Sequence, residues 1–143
     1  MQVMQILKDK GADVVTMSAD ETIAAAGRVL QERRIGAVVV IGPRGELQGI
    51  LSERDVVRGL ALRGSAVLEE RVGAVMTSPV ITCDPDTSLE DLMRLMTHRR
   101  IRHLPVIRDG RLGGIISIGD VVRHRLMELE TEATTLREYI GGR

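Results

Sequence analysis

Two serine–aspartate pairs have the residue types and spacing of a helix cap or of a ligand-binding site. Asp120 follows Ser117 by three residues, and Asp55 follows Ser52 by three residues. Each pair lies where an apolar run gives way to helical spacing, which predicts a strand followed by a helix. A carboxylate at that junction can cap the helix, and it can also accept hydrogen bonds from both hydroxyls of a sugar diol. The spacing alone leaves both roles open.

A basic pair in the second half of the chain could bind an anion. Arg102 offers a planar fork of N–H donors, and His103 offers a donor that titrates near neutral pH. The equivalent positions in the first half are Gly36 and Ala37, which carry no charge. The alternative is an ordinary solvated basic turn that continues residues 99–100, and the sequence favours neither role over the other.

Patterns typical of catalysis or of metal binding are missing from the sequence. The three histidines and the single cysteine do not have the spacing of metal ligands. There is no G-x-S-x-G motif, and no phosphate-binding loop that ends in Gly-Lys-Ser or Gly-Lys-Thr. Cys83 follows an apolar segment and is predicted to be a small core residue. We therefore expect no catalysis and no bound metal.

Composition excludes several classes of partner. The 143 residues include 20 basic and 20 acidic side chains, so there is no general positive charge with which to bind nucleic acid. Tyr139 is the only aromatic residue, so bases cannot stack on aromatic platforms. No stretch reaches the roughly 18 apolar residues of a membrane span, and the N-terminus has no basic segment before a long apolar run. We expect a soluble, cytoplasmic protein that binds neither nucleic acid nor membrane.

The chain contains an internal repeat. The run GIISIGDVVR at residues 114–123 restates GILSERDVVR at residues 49–58, and VIT at 80–82 restates VVT at 14–16. Each half is predicted to be β-α-β-β-α. Neither half alone could cover both faces of its small sheet, so the two halves should pack together. We predict an α/β (α+β) fold in which two repeats are related by a pseudo-two-fold axis.

The predicted organisation has three parts. Residues 1–62 are the first repeat with an N-terminal lead-in helix. Residues 63–78 are a connection that holds a short helix. Residues 79–143 are the second repeat, and they end in an extended C-terminal helix.

The last helix is predicted to start near Asp120 and to overrun its counterpart. Its apolar residues follow alternating steps of four and three, which is a heptad seam. They are Val122, Leu126, Leu129, Ala133, Leu136 and Ile140. The seam indicates either a helix that folds back on its own domain or a contact between subunits, and its short length leaves both open.

These runs resemble a pair of cystathionine-β-synthase (CBS) domains, the arrangement called a Bateman module, of the stand-alone bacterial type. The resemblance covers about residues 10–127. Its carriers are VVT at 14–16, IGAVVV at 35–40, GILSERD at 49–55, MT at 76–77, VIT at 80–82, IRHLPVI at 101–107 and GIISIGD at 114–120. Their order, spacing and duplication make the resemblance specific, although any one fragment would be weak.

The resemblance implies one nucleotide site around Asp120. In similar proteins the matching aspartate holds ribose, the matching serine helps with phosphate or ribose, and basic residues such as Arg102 point at phosphates. The segment VVT at 14–16 would line the adenine, and small residues would let the ligand approach the backbone. The implied residues are Val14, Val15, Thr16, Ile35, Gly36, Ala37, Arg102, His103, Ser117, Gly119 and Asp120.

The resemblance also implies a mirror site that is weaker or empty, because it lacks the basic pair. Arg54 replaces Gly119 there, and it would meet phosphate or pair with Glu53 or Asp55. The implied residues are Ser52, Arg54, Asp55, Val80, Ile81, Thr82 and Ile101.

The function that this resemblance implies is non-catalytic regulation. An adenosine nucleotide, with AMP as the first choice ahead of ADP, ATP or an NAD-like ligand, would bind in the cleft between the repeats, and no cofactor would be required. Binding would change the angle between repeats or subunits, and a separate, unidentified effector protein would respond. A homodimer formed through helical faces is expected. The alternative is a ligand-free dimeric scaffold.

Overall fold

Two small β-sheets, one in each half of the chain, carry the fold. The structure is a computed structural model that describes residues 1–141; residues 142–143, the end of the predicted second repeat, lie outside the described residues. Helix α1 (Val3–Lys10) comes before both sheets. The first half then consists of β1 (Thr16–Met17), α2 (Ile23–Arg33), β2 (Ala37–Ile41), β3 (Leu47–Ser52) and α3 (Glu53–Arg63). Strand β1 pairs parallel to β2, and β2 pairs antiparallel to β3.

The second half follows the same order after a short connection. The connection contains a 3₁₀ helix (Gly64–Glu69) and α4 (Val72–Val75), where the sequence predicted one short helix. The second half consists of α5 (Leu89–Arg99), β4 (His103–Arg108), β5 (Arg111–Ser117) and α6 (Ile118–Gly141), with β4 and β5 antiparallel. The predicted class, a duplicated mixture of helix and sheet, is confirmed.

The second sheet differs from the first in its first strand. The strand predicted at 80–82 is reduced to a single parallel bridge between Cys83 and Val106. In the first half, Val39 donates its backbone N–H to the Val15 carbonyl at 3.1 Å. The residue equivalent to Val39 is Pro105, which has no N–H to donate. One proline therefore shortens the second sheet to two full strands.

Matching caps position the first helix of each repeat. The Thr22 hydroxyl accepts from the N–H of Ala25 at the start of α2, and the Ser88 hydroxyl accepts from the N–H of Asp91 at the start of α5. Both helices end at an arginine in the left-handed conformation; for Arg100 φ is 52°. An arginine there is unusual, because only glycine and asparagine adopt this conformation readily. The repetition of these caps shows that the duplication extends to local backbone geometry.

Each repeat has its own apolar core, and a segment outside its β-α-β-β-α unit completes it. Val72 of α4 is fully buried in the first core. Val3 and Ile6 of α1 are fully buried in the second core, although α1 comes first in the sequence. Backbone bonds fix α1 there: the N–H of Val3 donates to the Thr87 carbonyl at 2.9 Å. The lead-in helix, which the sequence assigned to the first repeat, thus packs on the second.

We predict that truncating Ile6 destabilises the whole protein. Because the side chain is fully buried in the second core, Ile6→Ala should lower the free energy of unfolding by about 2–5 kcal/mol. Urea unfolding measures this. Leu62→Ala is the matched control, since Leu62 is 71% exposed and should change stability by less than about 0.5 kcal/mol. Equal effects of the two substitutions would contradict the packing of α1.

Candidate functional site

Both serine–aspartate pairs lie at a strand-to-helix junction, as predicted, and both cap the helix. At the start of α3, Asp55 Oδ2 accepts from the Ser52 backbone N–H at 2.9 Å and from the Ser52 hydroxyl at 3.2 Å. At the start of α6, Asp120 Oδ2 accepts from Ser117 in the same way, at 2.9 and 3.0 Å. The two carboxylates are buried, with 5% and 6% exposure. Capping leaves open whether either carboxylate also binds a ligand.

Asp120 is bonded to several groups of its own chain, most of them at one oxygen. Besides the two bonds from Ser117, the Lys10 ammonium donates to Asp120 Oδ2 at 2.7 Å, and Arg123 donates to Oδ1 at 3.0 Å. Each carboxylate oxygen has about two acceptor positions, so three donors crowd Oδ2, whereas Oδ1 has one donor, an arginine whose side chain is 55% exposed. Burial opposes ionisation, but the hydrogen bonds and charge of Lys10, together with those of Ser117, outweigh it and lower the pKa of Asp120. A sugar hydroxyl could reach Oδ1, but it would share the carboxylate with the Lys10 ammonium.

Asp55 has a different set of neighbours. Its Oδ1 accepts from the Thr77 hydroxyl at 3.1 Å, and Arg58 lies 3.6 Å from the same atom. The nearest groups from outside the helix are therefore a neutral hydroxyl and a guanidinium whose side chain is 66% exposed. Both can turn away, because a hydroxyl rotates freely and an exposed arginine is weakly held. Asp55 can accept new hydrogen bonds without breaking a buried ion pair.

Lys10 and Thr77 occupy equivalent places in the two repeats. Lys10 contacts Asp120 and also donates to the Ile115 carbonyl at 2.8 Å. Thr77 contacts Asp55, and its backbone exchanges hydrogen bonds with Ile50, the residue equivalent to Ile115. The repeats thus place a cation at one aspartate and a hydroxyl at the other.

A cleft opens beside Asp55 where the two repeats meet. Its volume is about 190 Å³, less than the roughly 300 Å³ at which pockets for small molecules usually begin. It therefore encloses part of a ligand and leaves the rest toward solvent. The lining residues come from both repeats: Gly36, Ile50, Ser52, Glu53, Arg54, Asp55, Arg58, Thr77, Arg100, Ile101, Arg102 and His103.

Four arginines make the outer walls of this cleft cationic. They are Arg54, Arg58, Arg100 and Arg102. Arg54 Nη1 donates to the Arg100 carbonyl at 3.0 Å, which ties α3 of the first repeat to the end of α5 in the second. The acidic groups in the lining are Asp55 and Glu53. Guanidinium groups around a buried carboxylate suit a ligand that has both hydroxyls and an anionic group.

The floor of the cleft is a close contact between the repeats. A Cβ at Gly36 would lie 3.0 Å from His103 Cε1 and 3.2 Å from Glu53 Oε1, so a larger residue would push the imidazole aside. Burial lowers the pKa of His103; the Glu53 carboxylate opposes this, and the charges of Lys10 and Arg102 lower it further. His103 is consequently neutral at neutral pH.

The cleft combines residues from both predicted sites. From the set assigned to Asp120 it contains Gly36, Arg102 and His103, and from the set assigned to Asp55 it contains Ser52, Arg54, Asp55 and Ile101. The remaining predicted residues lie outside its lining: Val14, Val15, Thr16, Ile35, Ala37, Val80, Ile81, Thr82, Ser117, Gly119 and Asp120. The basic pair therefore lines a cleft with Asp55, whereas the sequence assigned it to the Asp120 site.

Several of the remaining predicted residues serve the cores. Val15 and Ile35 pack against the first core, and Ile81 packs against the second. Ala37 is buried in β2. These positions fit the packing role that apolar residues fill most often.

Sequence reasoning missed five residues of the cleft lining, and it also missed Lys10 beside Asp120; the five are Ile50, Glu53, Arg58, Thr77 and Arg100. Arg58 lies in the repeated run at 49–58, and Thr77 lies in the MT pair at 76–77, so both had a signal that was not used. Arg100 is the residue that ends α5. Lys10 had no sequence signal, because it is 110 residues away from Asp120.

Three further observations on residues 1–141 concern metal binding, membrane crossing and the single cysteine. Residues 1–141 contain no group of three or more His, Cys, Asp or Glu that could hold a metal ion. No helix among them is sufficiently long and apolar to cross a membrane. Burial, with a contribution from Asp84, raises the pKa of Cys83 to about 12, so this thiol stays protonated and is a poor nucleophile.

Comparison with known proteins gives one family. A family model described as the CBS domain matches residues 3–62 and 72–126. The chain is 37% identical to the mitochondrial CBS domain-containing protein CBSX3 of Arabidopsis thaliana, over 98% of this chain and 72% of that protein.

Solved structures give the same fold. A CBS-domain containing protein from Agrobacterium tumefaciens superposes with a TM-score of 0.85 at 45% identity, covering 87% of this chain and 92% of that chain. A CBS domain pair in complex with 5′-methylthioadenosine and S-adenosyl-L-methionine superposes with a TM-score of 0.76 at 25% identity, covering 86% and 98% of the two chains.

We predict that His103 makes the fold sensitive to mild acid. In the unfolded chain a histidine takes up its proton near pH 6.5, whereas the folded protein binds it only at lower pH. The unfolded state then binds more protons, so stability falls as pH decreases below about 6.5. Urea unfolding at pH 7.5 and pH 5.5 should show a larger loss for the natural protein than for His103→Gln. Equal losses would contradict the lowered pKa.

Proposed function

The chain belongs to the CBS domain family, and from this premise we propose that it is a non-catalytic regulatory module that binds an adenosine nucleotide between its two repeats. Family membership confirms the resemblance drawn from the repeated runs. The ligand class is adenosine nucleotides, with AMP the first choice from the sequence and ADP, ATP and NAD-like ligands the others. A CBS domain pair of the same fold is described in complex with two adenosine compounds, which supports this class.

The observation that carries the proposal is the cleft beside Asp55. Its buried carboxylate has room for the two hydroxyls of a ribose, since the Thr77 hydroxyl and the Arg58 guanidinium can move aside. Each charge-assisted hydrogen bond contributes about 1.5–3 kcal/mol net. The surrounding guanidinium groups would receive the phosphate. The base would lie toward the open side of the cleft.

The proposal reverses the order of the two sites inferred from the sequence. Asp120 Oδ2 carries the Lys10 ammonium, and a ligand at that oxygen would have to break this partly buried ion pair. Asp55 carries no such group, and the basic residues Arg102 and His103 line its cleft. We therefore assign the nucleotide to Asp55 and expect the Asp120 side to stay free of ligand.

Arg54 would couple nucleotide binding to a change in the angle between the repeats. In the free protein its guanidinium ties the first repeat to the Arg100 carbonyl of the second. A phosphate in the cleft would attract this guanidinium, because an anion binds it more strongly than a neutral carbonyl does. Losing the tie would let the angle between the repeats change. A separate effector protein, or the second copy in a homodimer, would respond to that change.

We predict that Asp55 is required for nucleotide binding and that Asp120 is not. Asp55→Asn keeps the shape of the side chain but removes its charge, so the dissociation constant should rise on the order of tenfold to a hundredfold. Calorimetry with AMP, ADP, ATP and NAD measures this, with Asp120→Asn as the matched control at the equivalent position. The natural protein should bind one nucleotide per chain. Absence of binding by every nucleotide would favour the ligand-free scaffold.

We also predict that exchanging the residue types at Lys10 and Thr77 changes which aspartate binds a nucleotide. Thr77→Lys should place an ammonium on Asp55, as Lys10 does on Asp120, and abolish binding. Thr77→Val should retain most of it, since only a hydroxyl is lost. Lys10→Thr should raise the stoichiometry from one nucleotide per chain toward two. Calorimetry reports each value, and full binding by Thr77→Lys would contradict the role of the ammonium.

A further inference from the structure

Helix α6 presents an apolar seam to solvent along residues 122–140. Val122, Leu126, Leu129, Leu136 and Ile140 are between 44% and 64% exposed, and Ala133 is exposed as well. Their alternating steps of four and three place them at the a and d positions of a heptad. The a positions are Leu126, Ala133 and Ile140, and the d positions are Val122, Leu129 and Leu136. The structure thus leaves the seam free of its own domain.

The opposite side of α6 holds the helix on the domain. Asp120, Val121 and His124 are buried, at heptad positions b, c and f. Glu128, at the next c position, lies 3.4 Å from the N-terminal amine of Met1. Both His124 nitrogens face acceptors, the Asp120 carbonyl at 2.8 Å and the Asp9 carboxylate at 3.0 Å. The domain therefore contacts the b, c and f side and does not obstruct the seam.

The charges that flank the seam distinguish the orientation of a partner helix. In a parallel pair of identical helices, each g residue faces the e residue five positions later on the other helix. Arg125 at g would face Glu130 of the second copy, and Glu132 at g would face Arg137 of the second copy. Both pairs have opposite charges. Within one chain, Arg125 donates to Glu128 at 3.3 Å across one turn.

The antiparallel arrangement is disfavoured by the same residues. Aligning the seam so that Leu126 faces Leu136 would bring Glu130 against Glu130 and Glu132 against Glu132. It would also bring Arg123 against Arg137. Every one of these charged pairs has like signs, which is unfavourable at positions beside an apolar seam.

We propose that the seam pairs in parallel with the same seam of a second copy, forming a two-stranded coiled coil over residues 122–140. Leucine at two d positions and isoleucine at one a position favour two strands in parallel. The proposal deepens the expected homodimer, because it names the surface and its direction, and it does not depend on nucleotide binding. The two domains would lie at the same end of the coiled coil.

The test exchanges charges and measures mass by light scattering. Glu132→Lys would face Arg137 of the second copy, and Arg137→Glu would face Glu132, so each variant alone should raise the dimer dissociation constant about tenfold. The double variant should restore dimerisation. An equimolar mixture of the two single variants should also restore it, since each helix then faces opposite charges. Residues five apart do not meet on one helix, so an effect within a chain cannot explain the restoration.

Oxidative crosslinking tests the orientation independently. Leu136→Cys should crosslink to itself, because d faces d in a parallel pair, whereas an antiparallel pair would place it opposite Leu126. Thr135→Cys, at the outward c position, is the matched control and should not crosslink. Cys83 is buried with a pKa raised to about 12, and should not contribute. The proposal would be overturned if the protein were a monomer, or if the charge exchanges left its dimerisation unchanged. Calorimetry would still show nucleotide binding in either case, so this failure is distinguishable from a failure of the proposed function.

Discussion

A buried carboxylate at the start of a helix needs hydrogen-bond or charged partners. Asp55 and Asp120 both have this position, and their partners from outside the helix cap differ. An unpaired charge removed from water costs several kcal/mol. At Asp120 the Lys10 ammonium, from a distant helix, offsets this cost. At Asp55 the hydroxyls of Ser52 and Thr77, which can exchange, offset it. The two repeats share their helix caps, so this choice of partner is the main difference between the two aspartate sites.

The different partners of the two aspartates follow from how each repeat is completed. Helix α1 covers the second core and brings Lys10 to Asp120, whereas the connection covers the first core and brings Thr77 to Asp55. Each covering segment therefore has two functions, since it supplies apolar side chains to a core and one polar group to a carboxylate. A module of duplicated origin can become specialised through such flanking segments while its repeated strands and helices stay unchanged.

The sequence predicted the features that depend on local pattern. The repeated run at residues 49–58 and 114–123 located both strand-to-helix junctions, and the steps of four and three located the long last helix. The shortened second sheet had a usable signal, because Pro105 cannot donate the hydrogen bond that Val39 donates. The partner of Asp120 had none, since nothing near Lys10 in the sequence refers to a carboxylate 110 residues away. Arg102 and His103 line the cleft with Asp55, whereas the sequence assigned them to Asp120; this grouping likewise depends on three-dimensional packing.

The position of α1 has a consequence for the order in which the protein acquires its structure. Val3 and Ile6 belong to a core whose other members lie between residues 83 and 121. During synthesis the first helix emerges long before those residues, and it has no core to join until nearly the whole chain is made. Contacts of such large sequence separation slow folding. We expect the first repeat to form early and the second to wait for both ends of the chain to meet.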